Sequence, residues 1–326
     1  YDSESDMVNR SSPYIIRHQL EQRGVRASLV SDSNLGDMPW KSSVGFEVTD
    51  VKMDYISNFN STHPNRVDWS GDTDKVDPDN FVAGSWADIS DSQGALDQQS
   101  DVNQLAFFAE SQLKLTDKIA LVTGLRLDNI ETDYERLAYG DSPANPLSQD
   151  IDPLMFRLGT VYDINENTAL YGQYSTGETH PNGGDVVRVS AKYRESRTVG
   201  VDQYEFGIKQ AIQENKLNWN LALFQVTKTN LLIDDPDSSD PTDLLSVPEQ
   251  RSQGIEAGLE YLLDNRLTGY ANVAVIDAER DIAGGGSEAT PYVPDVTFNT
   301  GILFRPVDNV QVVADVRYVD ERPYED

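Results

Sequence analysis

The stretch Leu105-Ala-Phe-Phe-Ala-Glu-Ser-Gln-Leu-Lys-Leu115, the polar step Thr116-Asp117, and then Ile119-Ala-Leu-Val-Thr-Gly-Leu-Arg-Leu-Asp128 decide the fold. In the first run one face carries Leu105, Phe107, Ala109, Leu113 and Leu115, and the other Phe108, Glu110, Gln112 and Lys114. In the second, Ile119, Leu121, Leu125 and Leu127 oppose Gly124, Arg126 and Asp128. Side chains alternate across a strand, so a period of two over this length marks a sheet with one apolar and one polar face. The short polar step between the runs is a hairpin turn.

The same rhythm recurs outward from this pair. Tyr204, Phe206, Ile208 and Ile212 oppose Gln203, Glu205, Gly207 and Lys209. Leu217, Trp219, Leu221 and Leu223 oppose Asn218 and Asn220. Ile255, Ala257, Leu259, Tyr261 and Leu263 oppose Glu256, Gly258 and Glu260, and Val310, Val312, Ala314, Val316 and Tyr318 oppose Gln311, Asp315 and Arg317. Three runs are less regular: 40–56, where Val44, Phe46 and Val48 oppose Gly45, Glu47 and Thr49, then 168–176 and 266–279. About twelve strands of roughly 10–17 residues are predicted, far longer than the 5–6 usual in soluble sheets.

The connections alternate in length. Short polar links fall at 116–117, 165–167, 213–215, 264–265 and 307–309. Long polar links fall at 57–102, 135–153, 179–200, 231–248 and 280–291. In a meander this puts every tight turn at one end of the sheet and every long loop at the other. A soluble sandwich has no cause for that asymmetry, whereas an outer-membrane barrel has short periplasmic turns and long external loops. A solenoid needs a fixed repeat, and none is found. The expected fold is all-β: an antiparallel up-and-down transmembrane β-barrel.

Composition narrows the function. Lys plus Arg is 26 and Asp plus Glu is 55 among 326 residues, a formal charge of −29. A nucleic-acid binder needs a basic footprint, so none is expected. The chain has no cysteine, which removes disulfides, Fe–S clusters and thiolate zinc sites, and only three scattered histidines, His18, His63 and His180. No apolar run approaches a transmembrane helix, and alternating barrel strands average out as hydrophilic. The start at Tyr1 and the end at Asp326 read as those of a piece of a longer product.

Several segments together resemble the barrel of TonB-dependent outer-membrane receptors, especially the ferric-siderophore branch. They include Gly124-Leu-Arg-Leu-Asp128, Phe156-Arg-Leu-Gly159, Leu170-Tyr-Gly-Gln-Tyr-Ser-Thr-Gly177, Gln203-Tyr-Glu-Phe-Gly-Ile-Lys209, Leu221-Ala-Leu-Phe-Gln-Val-Thr-Lys-Thr-Asn230, Gln250-Arg-Ser-Gln-Gly-Ile-Glu256, Pro291-Tyr-Val-Pro294 and Arg317-Tyr-Val-Asp320. The resemblance covers the chain well from about 101 to 324 and more loosely before 60. It implies a 22-stranded barrel closed by an N-terminal plug, of which residues 1–326 would form part of the wall, the plug and the last strands lying outside them. It also implies TonB-dependent uptake of a ferric siderophore as transported ligand, with no covalent step, no bound cofactor, and TonB-ExbB-ExbD, lipid and lipopolysaccharide as partners. Receptors for vitamin B12, haem or an oligosaccharide are the nearest alternatives. A passive channel and a barrel hydrolase are the rivals from other classes; the scattered histidines and the lack of a Gly-x-Ser-x-Gly elbow argue against the hydrolase.

Two groups of residues are singled out. Arg126, Asp128, Glu205, Lys209, Glu256 and Arg317, with Glu260, are expected on the lumen face, paired across the wall or simply solvated. The link 179–200 carries Arg188, Lys192, Arg194 and Arg197 against Asp185 and Glu195, a local excess of +2 in an acidic chain, with His180 and Tyr193 beside them. Arg bonds anionic oxygens and Tyr stacks on rings, so these six are the candidate ligand contacts. The alternative is a strand extension whose cations pair with acidic loops or lipopolysaccharide. The acidic loop 234–243 and the flexible tip Gly284-Gly-Gly-Ser287 lack the spacing of an EF-hand or a P-loop, so no metal or phosphate site is assigned to them. Tyr14, Tyr134, Tyr162, Tyr174, Tyr261 and Tyr318 are candidates for interfacial girdles, or else ordinary strand residues.

Overall fold

The structure is a computed structural model that describes residues 8–9, 16–57, 75–76, 95–137, 144–179, 198–212, 216–234, 244–264, 266–282 and 285–323. Its strands are β1 (Val8–Asn9), β2 (Ile16–Leu35), β3 (Met38–Ser57), β4 (Lys75–Val76), β5 (Ala95–Lys114), β6 (Ile119–Arg136), β7 (Asn145–Ile151) and β8 (Leu154–Asn165). They continue with β9 (Thr168–Thr179), β10 (Val199–Ile212), β11 (Leu217–Asp234), β12 (Leu244–Asp264), β13 (Leu267–Asp281), β14 (Ser287–Ala289), β15 (Val296–Val307) and β16 (Val310–Val319). Twelve of them follow one another, each antiparallel to the next, from β2 to β16 in a single 14-stranded sheet. β7 adds to the upper part of β6 and β14 to the end of β13, while β1 and β4 form a separate two-stranded pair.

Tight turns gather at one end because each consecutive pair reverses direction. Gly36, at φ +63°, takes the first central position of the β2–β3 turn, the left-handed position a two-residue hairpin needs. Between β5 and β6 the Thr116 hydroxyl accepts bonds from the backbone N–H groups of Lys118 (3.2 Å) and Ile119 (3.0 Å). Between β8 and β9 the Asn165 side chain accepts from the N–H of Asn167 (2.9 Å).

The apolar residues do not pack into a core between two layers. They form a continuous belt on one surface, with Leu223 51% and Phe206 62% exposed. On β3 the belt runs from Trp40 to Val48, on β6 from Ile119 to Leu127, on β10 from Tyr204 to Ile212 and on β12 from Ile255 to Leu263. Each run is about nine residues, the length a tilted strand needs to cross the hydrocarbon. Above it the same surface turns polar at one height: Asp50 pairs with Asn103 on β3 and β5, Glu131 lies alongside on β6, and Gln253 pairs with Asp277 on β12 and β13.

Aromatics mark both edges of the belt. At the turn end Trp40 Nε1 donates to Ser111 Oγ (2.8 Å) and Trp219 Nε1 to Gln210 Oε1 (2.9 Å), so each indole sits on grease with its N–H satisfied. At the loop end Tyr174 stacks on Tyr204 (4.7 Å), meets Phe156 edge-on (6.2 Å) and donates to Asp202 (2.5 Å). Tyr162, Tyr261 and Tyr318 stand on the same outer surface, exposed. Tyr134 differs: it is buried on the opposite face against Leu147 of β7. Tyr14 lies outside the described residues.

Beside β2, which the sequence reading did not single out, two segments differ from it. The link 135–153 contains β7, whose short Leu147, Gln149, Ile151 alternation follows Pro146 and lies within a polar stretch. β5 begins at Ala95, well before the expected 102, because Gln98, Gln99, Ser100 and Asp101 give its upper part no apolar rhythm.

Candidate functional site

The face opposite the apolar belt is polar and concave, and residues paired across strands share it. One row reads Lys209, Asn220, Gly258, Asn272, Asn299 and Arg317 in register from β10 to β16. Gly258 leaves room for both amides, since a Cβ would stand 2.6 Å from Asn220 Oδ1 and 3.2 Å from Asn272 Oδ1. The row above carries Tyr171, Gly207, Ala222 and Glu256. Together these rows line a cavity of about 900 Å³ near the turn end, with Glu205, Lys209 and Glu256 all on its wall. Arg317 closes the neighbouring recess of about 380 Å³.

Glu205 is held by neutral donors. It accepts from Tyr171 Oη (2.7 Å), Gln173 Nε2 (3.1 Å) and Gln203 Nε2 (3.2 Å). Lys209 sits 4.9 Å above the Tyr171 ring. The ring itself lies where Gly207 has no side chain. Among the described residues Asp163, Glu166, Glu205, Glu256 and Glu260 line this cavity with Lys209 as the one cation, so their summed potential is negative.

A second polar cluster lies higher on the same face, across β2, β3, β5 and β6. Arg126 donates twice to Asp128, through Nε (2.7 Å) and Nη2 (2.8 Å), and Gln104 Nε2 adds a third bond (2.6 Å). The Asp128 side chain is fully buried, which a carboxylate tolerates only when its lone pairs are filled. Arg126 also reaches Glu47 (3.5 Å), and Arg26 reaches the same carboxylate (3.7 Å). Ala106, 0% exposed, stands between Glu47 and Asp128 in the register and leaves room for them to share Arg126.

In the register Arg126, Asp128, Glu205, Lys209, Glu256, Glu260 and Arg317 lie opposite the apolar belt, in two groups. Arg126 and Asp128 pair with each other; Glu205, Lys209 and Glu256 gather at the cavity, and Arg317 lies beyond them. The six proposed ligand contacts, His180, Arg188, Lys192, Tyr193, Arg194 and Arg197, lie outside the described residues. Arg26, Glu47, Tyr171 and Gln173 were not singled out from sequence, because their roles arise only when the register is known. Among the described residues no group of His, Asp and Glu side chains is placed to hold a metal.

Comparisons with known proteins agree with this architecture. The chain is 26% identical over 310 residues to a ferric-pyoverdine 358 receptor of Pseudomonas putida, covering 93% of this chain and 35% of that protein. It is 22% identical over 242 residues to the catecholate siderophore receptor Fiu of Escherichia coli, covering 66% and 31%. The structure of Fiu in its closed form superposes with a TM-score of 0.74 at 18% identity, over 93% of this chain and 44% of that one. That of the siderophore receptor PiuA of Acinetobacter baumannii gives 0.73 at 20%, over 94% and 46%. The chain thus spans about a third of the length of the sequence relatives it matches. Residues 5–326 match the family model described as TonB dependent receptor-like, beta-barrel, and the chain belongs to that family of outer-membrane receptors.

Proposed function

We propose that this chain is part of the wall of a receptor that binds a ferric siderophore outside the cell and admits it by TonB-coupled uptake. The observation that carries the proposal is the match over nearly the whole chain to a ferric-pyoverdine receptor, on a sheet with a lipid-facing belt and a polar lumen face. The receptor transports and catalyses no covalent step. Its energy comes through TonB with ExbB and ExbD, reached by a plug domain.

Titrating the full-length receptor with ferric and iron-free chelates tests the proposal through intrinsic tryptophan fluorescence. A response to a ferric complex, with uptake lost in cells lacking TonB, is the expected result. Ion conductance independent of TonB, with no ferric complex bound, would identify a passive channel instead. Within this reading the basic loop is a ligand contact, supported by its charge. Replacing Arg188, Arg194 and Arg197 together by Ala is expected to weaken chelate binding at least tenfold; unchanged affinity removes the loop from the site.

A further inference from the structure

We propose that Glu110 and Arg157, on either side of Gly124, form a socket in the lumen wall that docks a segment of the plug carrying a carboxylate toward Arg157 and a basic side chain toward Glu110. The inference rests on the uptake reading above and deepens it by naming wall residues that the plug meets.

The socket is built from the register. Glu110 pairs with Gly124 between β5 and β6, and Gly124 with Arg157 between β6 and β8, so the three form one row. Phe156 and Leu158 flank Arg157 in sequence and stand exposed on the outer surface, within the belt. The row therefore lies at the height of the hydrocarbon. In the uptake reading this is the level that the plug closes.

Glu110 and Arg157 carry opposite charges on backbones about 10 Å apart, two strand spacings. The bare backbone of Gly124 lies between them. Arg157 leans toward it, with Nε 3.9 Å from where a Gly124 Cβ would stand. Yet both charged side chains are exposed, and neither makes an ion pair or a hydrogen bond among the described residues. The neighbouring charges are committed. Arg126 holds Asp128 by two bonds, and Arg26 reaches Glu47 at 3.7 Å. Arg26, Glu110, Gly124, Arg126, Arg157 and Ser175 line a recess of about 260 Å³.

The pattern of charge selects the occupant. An ion enclosed without a partner is strongly disfavoured, so a plug that fills the lumen at this height must answer both groups. Two fixed charges of opposite sign need an occupant with both signs in the reverse order. A folded segment presents that and a simple ion does not. The glycine between them lets the backbone of such a segment come close to the wall. This chain covers 35% of the ferric-pyoverdine receptor that it matches, which leaves ample length elsewhere in such a protein for a plug.

The test uses the full-length receptor in planar lipid bilayers, with ion conductance read as urea is raised. Wild type is expected to stay closed without urea and to open at a definite urea concentration, as the plug leaves its seat. Arg157→Gln and Glu110→Gln are each expected to open at a concentration lower by about 0.5 M or more, the shift that loss of a modest contact produces. The exchanged pair, Glu110→Arg with Arg157→Glu, keeps the net charge and reverses the order of the signs, and it is expected to open lower than either. Arg157→Lys keeps the sign and is expected to stay nearer to wild type than Arg157→Gln. Far-UV circular dichroism of each variant reports whether the wall is folded, and the single variants decide if the exchanged pair does not fold. An unchanged opening concentration in either glutamine variant or in a folded exchanged pair overturns the socket and leaves the uptake reading standing. So does an equal shift in Arg157→Lys and Arg157→Gln. Wild type that conducts without urea overturns both, because no plug then closes the barrel.

Discussion

Gly207 shows how a missing side chain can organise a polar wall. A Cβ there would stand 2.5 Å from the Tyr171 ring and 2.6 Å from its hydroxyl. Gly207→Ala must therefore lift Tyr171 away from Glu205, breaking the 2.7 Å bond, and away from Lys209. Overpacking of this kind costs about 1–3 kcal/mol. Gly269 is the control, since nothing lies closer than 3.9 Å to its Cβ position, and Gly269→Ala is expected to stay within about 0.5 kcal/mol of wild type. Urea unfolding of the full-length receptor in detergent measures both. Equal stability of the two variants would mean that Tyr171 is not fixed by Gly207. At this scale the sequence was legible only in part. Alternation alone placed Arg126 and Asp128 on the polar face. That Arg126 also serves Glu47, on a strand two places away, depends on register and on the small Ala106 between them, neither of which alternation encodes.

Strands carry the signal most clearly where one face meets lipid. Leu223 lies on β11 about six residues above the turn end, near mid-belt, and is 51% exposed on the outer surface. Leu223→Arg is expected to destabilise the barrel by about 2–4 kcal/mol, the cost of a cation at the bilayer midplane. Thr229, on the same face of the same strand but above the belt, is expected to accept Arg with little change. Urea unfolding in phospholipid vesicles distinguishes the two positions, and similar losses at both would refute the placement of the belt. The nine-residue rhythm of β6, β10 and β12 was readable because lipid demands it. β2 was not, because its upper part alternates charged and polar residues, Arg17, His18, Gln19 and Glu21, where both faces meet water and nothing selects a pattern. β7 escaped for a related reason: it leans on the upper part of β6, and among its described side chains Leu147 and Ile151 alone are buried.

At the scale of the whole molecule the formal charge of −29 is not spread evenly over the wall. Above the belt the outer surface carries Asp50, Asp54, Asp101, Glu131 and Asp133, with Lys52 paired to Asp101 (3.1 Å). In the proposed receptor this height faces the outer-leaflet headgroups, and lipopolysaccharide phosphates are themselves anionic. Two like-charged layers in contact repel, and screening by monovalent salt weakens that repulsion only over a Debye length of about 10 Å at 0.1 M. Hard divalent cations can instead share oxygens from both layers. The full-length receptor in lipopolysaccharide-containing bilayers is therefore expected to gain thermal stability from millimolar magnesium beyond the gain from sodium chloride at equal ionic strength. In bilayers of neutral lipid the two salts should act alike. A melting temperature that follows ionic strength alone in both bilayers would show that the acidic collar is merely solvated and takes no part in holding the receptor in its membrane.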